Sequence, residues 1–345
     1  MGLYSEILEQ PEVLGNLLAS QMKAVERIAA ALRQHEIRYV FLAARGTSDN
    51  AGRYANYLWG AYNRLPLALA TPSLFTYYHR PPALNQALVV GVSQSGQSPD
   101  IVSVLAEGRR SGCPTLAITN NPRSPLAEEA DYVLDICAGT EKAVAATKTY
   151  TAELMAIAML SVALAADRER RAELDQVPGW AQTALQLDGD LQRISERYRF
   201  LRQCVVLGRG FNYSTAFEFS LKLKELTYTL AEPYSSADFM HGPIAMIEQG
   251  FPVMAVAPGG AVFDGLLEVL HKVRVEENAD LLVISDRQEA LDLAQSRVPL
   301  PGGIPEWLTP IISIIPAQLF CYHLTVTKGF NPEAPRVIRK VTETT

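Results

Sequence analysis

The chain has 345 residues, 48% of them hydrophobic and 20% charged, which is enough to bury a sizeable core and suits two domains of ordinary size rather than a disordered polymer. A formal net charge of -6 and a pI near 5.5 argue against a nucleic-acid binder, which normally presents a basic face. The four cysteines, Cys113, Cys137, Cys204 and Cys321, are far apart and form no C-x-x-C pair, so neither a zinc site nor a disulfide framework is indicated and a reducing cytoplasm fits.

The opening MGLYSEILEQ has no basic patch ahead of an apolar core and so is no signal peptide; residues 1–30 read as a helical leader. Apolar runs of strand length, YVFLAA, ALVVGV, TLAIT and YVLDI, then alternate with segments of helical pattern. That alternation predicts an α/β fold with a parallel sheet covered by helices, assigned to residues 31–170. Within it, Ser98 and Pro99 mark a helix start, and IVSVLAEGRRSG carries that helix to a glycine stop. AELMAIAMLSVALAA, and later IISIIPAQLF with Pro316, are short or broken and read as buried helices rather than membrane spans. The charged run DRERRAELDQ leads to Pro178-Gly179, the expected connector (171–195) to a second domain over 196–328 and a tail over 329–345.

The second half repeats the first. QCVVLGRGFNYSTAFEFSLKL matches YVFLAARGTSDNAGRYANYL, and FPVMAVAPGGAVFDGLLEVL matches ALVVGVSQSGQSPDIVSVLA. Both matches share one offset of roughly 160 residues, as a duplicated domain requires. The second loop has Pro258-Gly259-Gly260 where the first has Gln94-Ser95-Gly96. One working loop and one vestigial loop follow from that loss of polar groups.

VVGVSQSGQSPDIV admits two chemical readings. Gly91-Val92-Ser93-Gln94-Ser95 nearly spells the G-x-S-x-G of a nucleophile elbow but lacks the last glycine. The same loop, ending a strand and opening a helix, would instead cradle an anion with hydroxyls and free N–H groups. Arg45-Gly46-Thr47-Ser48-Asp49 follows the first strand and would face the same crevice, where doubly wound sheets bind ligands.

GTS, SQSGQS, AGTEKAVAATK, SLKLKELTY and DFMHGPIAMI, in that order, resemble the sugar isomerase (SIS) domains in the isomerase half of glucosamine-6-phosphate synthase. The resemblance covers nearly the whole chain. It implies a flavodoxin-like sheet in each half, and an open-chain hexose or hexosamine 6-phosphate bound between the subunits of a homodimer. No cofactor is expected, and the charge balance, the short or broken apolar segments and the lack of metal-ligand spacing between any two histidines speak against nucleic acid, membrane and metal. Gly2 follows Met1 where the synthase's glutaminase has its nucleophilic cysteine, so the chain is expected to be unable to draw nitrogen from glutamine by itself.

By the resemblance, Thr47, Ser48, Ser93, Gln94, Ser95 and Ser98 hold the phosphate and nearby sugar hydroxyls. Several OH and N–H donors can offset the desolvation of a dianion without a metal. Arg45 stands where the family often has cysteine and is expected on the surface. Glu225 is the family's position for the base that moves a proton between C1 and C2, work suited to a carboxylate partly removed from water. Lys222 lies one helical turn back on the same face, although in an arbitrary sequence such a pair is usually a solvated one. His241 takes the ring-opening role, reaching the neighbouring subunit's site. Lys340, in the tail NPEAPRVIRKVTETT, matches a lysine that closes over the sugar and can form an imine, which needs an unprotonated amine. Glu141, Val144 and Thr147 are candidates for lining the pocket, and Ala146 replaces a serine common in the synthase. The leading expectation is a cytoplasmic enzyme converting glucosamine 6-phosphate to fructose 6-phosphate and ammonia. The alternatives are a fructosamine-phosphate deglycase, synthesis of glucosamine 6-phosphate from free or partner-supplied ammonia, and a non-catalytic sugar-phosphate sensor.

Overall fold

The computed structural model describes residues 2–337 and 340. In chain order the first half runs α1 (Leu3–Leu8), α2 (Gln10–Leu32), β1 (Tyr39–Ala43), α3 (Gly46–Asn63), β2 (Leu67–Leu69), α4 (Ser73–Thr76), β3 (Ala87–Ser93), α5 (Pro99–Arg110), β4 (Thr115–Thr119), α6 (Pro125–Glu128), β5 (Tyr132–Asp135), α7 (Lys148–Ala165) and α8 (Arg168–Leu174). The second half runs α9 (Val177–Ala184), α10 (Asp188–Arg197), β6 (Gln203–Gly208), α11 (Tyr213–Thr227), β7 (Leu230–Ser235), α12 (Ser236–Phe239), β8 (Pro252–Val256), α13 (Phe263–Val275), β9 (Asp280–Ser285), α14 (Gln288–Leu293), β10 (Ser296–Pro299) and α15 (Thr309–Thr327).

The strands form two five-stranded sheets with every pairing parallel, ordered β2-β1-β3-β4-β5 and β10-β9-β8-β6-β7. Matched by their place in each half, these are one topology written twice, the flavodoxin-like order 2-1-3-4-5. Central β3 is buried at all seven residues, as a strand covered on both faces must be. Helices sit tightly on it: a Cβ added at Gly91 would lie 2.7 Å from Leu105 and 2.8 Å from Leu126, and one at Gly108 would lie 2.7 Å from Val89.

The chain divides into two compact units that do not follow a single cut. The unit of the first sheet holds Glu9–Glu141 and Lys148–Gln176, together with Lys340 of the tail. The unit of the second sheet takes α1, Lys142–Thr147 and the chain from Val177. Pro178-Gly179 lies in the first turn of α9, where a proline lacking its N–H is tolerated. The exchange of short segments has a visible chemical cause. The fully buried Glu6 carboxylate of α1 accepts hydrogen bonds from the backbone N–H groups of Lys142 and Ala143, holding the 142–147 segment.

Helices α7 and α15 are long and apolar enough to cross a membrane, but 89% of each such stretch is buried inside the protein, as in core helices. Pro316 does not break the second of them; it is carried inside α15, whose neighbours α10 and α11 pack along it.

Candidate functional site

In the first sheet the connections change direction between β1 and β3, so the loops leaving their carboxyl ends flank one crevice. After β1, Gly46 at φ +54 makes the turn into α3. After β3, Gly96 at φ +64 folds the loop so that its N–H donates to Ser93 Oγ at 3.1 Å, while Ser95 Oγ accepts from Gln97 N at 3.2 Å. A Cβ on Gly96 would lie 2.0 Å from Ser124 Oγ, so the loop closes on β4's following turn in a way only glycine permits. Gly96→Ala is therefore expected to cost more in urea unfolding than Gly112→Ala. Gly112 shares the left-handed backbone (φ +73) but has open space around it and pays only the conformational term of about 1–2 kcal/mol.

Ser98 occupies the N-cap position of α5 but makes no capping bond, which leaves its hydroxyl beside the positive end of a 12-residue helix. Gln94 and Ser95 are half-buried, as is Thr47, while Ser93 is buried. Ser48 is buried and donates to Glu153 Oε1 at 2.8 Å, so with its proton committed there it meets a ligand as an acceptor. Asp100, in the first turn of α5, is 1% exposed and would repel an anion, but Arg45 Nε lies 2.7 Å from its Oδ2. Arg45 is thus half-exposed, as its surface reading expected, and also neutralises the buried carboxylate at the start of α5. Sequence reasoning missed this pair; the acidic residue after Pro99 was its only signal.

In the same unit Glu141 prepares the start of α7. Its Oε1 accepts from Thr149 N at 3.2 Å and its Oε2 from Thr149 Oγ1 at 2.8 Å, and Lys340 Nζ donates to that same Oε2. The group beside the Lys340 amine is a carboxylate, so addition of this amine to a carbonyl requires that the contact be given up. Lys148, 2% exposed, pairs with Glu9 at 2.6 Å.

The unit of the second sheet holds the other candidates. On α11 the fully buried Lys222 lies 2.5 Å from Glu225 Oε2 and 3.3 Å from Glu218 Oε1. Burial alone would push its ammonium down, but the two carboxylates outweigh it and hold it above its ordinary value. Glu218 is fully buried, whereas the Glu225 side chain keeps 24% exposure. Glu218 was not anticipated, although its spacing four residues before Lys222 in FEFSLKLKELTY was readable. His241 is exposed in the turn after α12, followed by Gly242 at φ +141, and its ring makes no hydrogen bond or ion pair among the described residues. Thr147 is buried and Val144 half-buried on the segment held by Glu6.

The loop after β8, the counterpart of the Ser93 loop in the second half, is filled from within the chain. Gly259 N donates to Asp286 Oδ1 at 2.7 Å and Ala261 N to Glu306 Oε2 at 2.8 Å. In this copy the chain's own carboxylates take both backbone donors, whereas in the Ser93 loop Gln97 N is taken by the loop's own Ser95 hydroxyl.

A doubly wound α/β protein with one hydroxyl-rich loop and one copy of it occupied by its own carboxylates is the class these features define. Residues 35–163 and 201–328 match the SIS domain, and the chain belongs to the SIS domain family. It aligns over 98% of its length, at 34% identity, with the glutamine–fructose-6-phosphate aminotransferase [isomerizing] of Thermus thermophilus, and spans 58% of that relative's length. The C-terminal domain of glucosamine-fructose-6-phosphate aminotransferase from Francisella tularensis superposes with a TM-score of 0.87 at 29% identity, over 95% of this chain and 96% of that one. Glucosamine-6-phosphate deaminase from Thermotoga maritima shares the fold, with a TM-score of 0.81 at 19% identity over 99% of both chains.

Proposed function

We propose that the chain is a hexosamine 6-phosphate isomerase and deaminase, converting glucosamine 6-phosphate and water to fructose 6-phosphate and ammonia. The observation that carries this reading is the Glu225 carboxylate, partly exposed and held at 2.5 Å by an ammonium that has no exposure of its own to speak of. A base fixed in that way is suited to proton transfer at carbon. Ser93, Gln94, Ser95 and Ser98, with Thr47, hold the phosphate, and Ser48 accepts from a sugar hydroxyl.

His241 opens the ring, working in the site of the neighbouring subunit of a homodimer. In the open-chain amino aldose Glu225 removes the C2 proton and returns it to C1. The nitrogen is left as a C2 imine, which water hydrolyses to the ketose with release of ammonia. Lys340 leaves Glu141 to close over the sugar, and Val144 and Thr147 line the pocket.

An NMR time course with glucosamine 6-phosphate in heavy water, with ammonia assayed in parallel, tests the reading. Fructose 6-phosphate with stoichiometric ammonia is the expected result. An intact amino sugar alongside cleavage of fructosamine 6-phosphate would replace it with a deglycase; binding of both without conversion would make the chain a sensor.

A further inference from the structure

The amino-terminal end of the second sheet, opposite the ends that carry the loops described above, holds a cleft of about 620 Å³. Arg202, just before β6, and Lys328, just after α15, line it together with Arg336 and the rings of Phe200, Tyr228 and Phe330. Among the described residues no carboxylate lines it. Arg199, also in the lining, is paired with Glu196 at 2.6 Å, but Arg202 and Arg336 form no ion pair among the described residues. Lys328 is turned inward, donating to Leu201 O and to Thr229 Oγ1. Burial lowers its ammonium from the ordinary value, with Cys204 opposing that shift and Arg202 adding to it. Concentrated positive charge in a chain of net charge -6 calls for an anion.

The rings narrow the choice. Tyr228 and Phe330 lie 4.9 Å apart, and the Arg336 guanidinium sits 4.5 Å from the first centroid and 5.2 Å from the second. Phe200 stands 88% exposed, a flat apolar surface left uncovered beside the cations. We propose that this cleft binds a small ligand joining a phosphate to a flat ring, of the mononucleotide class, with the phosphate on Arg202 and Lys328 and the ring stacked on Phe200. Its volume falls within the range of roughly 300–1,000 Å³ usual for small-molecule sites. A second copy of the chain is a poor occupant, because a two-fold contact would set these cations against themselves. A nucleic-acid strand would extend past the cleft over a net-negative protein.

The test is calorimetric titration of the full chain with AMP and UMP, with adenosine and inorganic phosphate as separate halves. The mononucleotides should bind one per chain, each half weaker by about tenfold or more, and saturating glucosamine 6-phosphate should not displace them. Arg202→Glu with Arg336→Glu should weaken AMP by about tenfold or more, and Phe200→Ala, which keeps every charge, should also weaken it. These side chains are exposed, and circular dichroism checks that the variants remain folded. The proposal fails if neither mononucleotide binds, if the amino sugar phosphate displaces them, or if phosphate alone binds as tightly as AMP. It fails equally if a single-stranded oligonucleotide binds more tightly than AMP, or if the paired arginine variant changes only the sedimentation of the protein. None of these outcomes depends on turnover of an amino sugar.

Discussion

Lys222→Met should destabilise the unit of the second sheet by about 3–5 kcal/mol, the usual consequence of removing one member of a buried ion pair. Lys222 is 1% exposed and stands between Glu218, with no exposure, and Glu225. Methionine fills much of the lysine stem's volume, so the loss reflects charge rather than a cavity. Glu218 keeps its burial and loses its cation. The double variant Glu218→Gln, Lys222→Met should then recover a large part of the loss, and urea unfolding of the four proteins of that cycle measures the coupling. Because the Lys222 ammonium is held above the ordinary lysine value of 10.5, its contribution is fully present below that pH and is lost only as pH rises through the folded-state value. The wild-type advantage over the single variant should be flat through neutral pH. Additivity in the cycle would show that Glu218 and Lys222 do not act together.

Much of this fold can be read from the sequence, and the reasons differ by element. β1, β3 and β4 are marked by apolar runs because strands covered on both faces have little use for polar residues; the edge strand β5 carries such a run too, although only Leu134 in it is buried. The edge strands β2, β7 and β10 are not so marked: β2 has three residues, and β7 and β10 accept Pro233 and Pro299 beyond their first residue, where a central strand would exclude them. The repeat located the hydroxyl-rich loop after β3 and the lost polarity of its copy. It could not show that Asp286 and Glu306 fill that copy, since those contacts close across sequence separations of 27 and 45. The same limit hid the Arg45–Asp100 pair and the hold of Glu6 on residues 142–147. Ser98 was placed at its N-cap by local pattern, yet whether its hydroxyl caps the helix or faces outward depends on a rotamer no pattern encodes. Pro316 was misleading because packing on both sides of α15 outweighs the loss of one helical hydrogen bond.

Glu225→Gln should lower the rate of amino-sugar turnover by about 100- to 10,000-fold, the range a positioned base contributes, while leaving sugar-phosphate binding close to wild type. Glutamine keeps the shape and can still accept a hydrogen bond from Lys222, which retains Glu218 as a counter-charge at 3.3 Å. Unlike Lys222→Met, this change removes a carboxylate that is already partly exposed, so the unfolding midpoint should move little. The decisive readout is exchange of the C2 hydrogen in heavy water, followed by NMR. If Glu225 moves the proton, exchange and ammonia release fall together and by the same factor. If ammonia release falls while C2 exchange continues at the wild-type rate, another group takes the proton and Glu225 serves a later step such as hydrolysis of the imine. Loss of binding in parallel with turnover would place Glu225 among the groups that hold the sugar, and the assignment of a base on α11 would have to be abandoned.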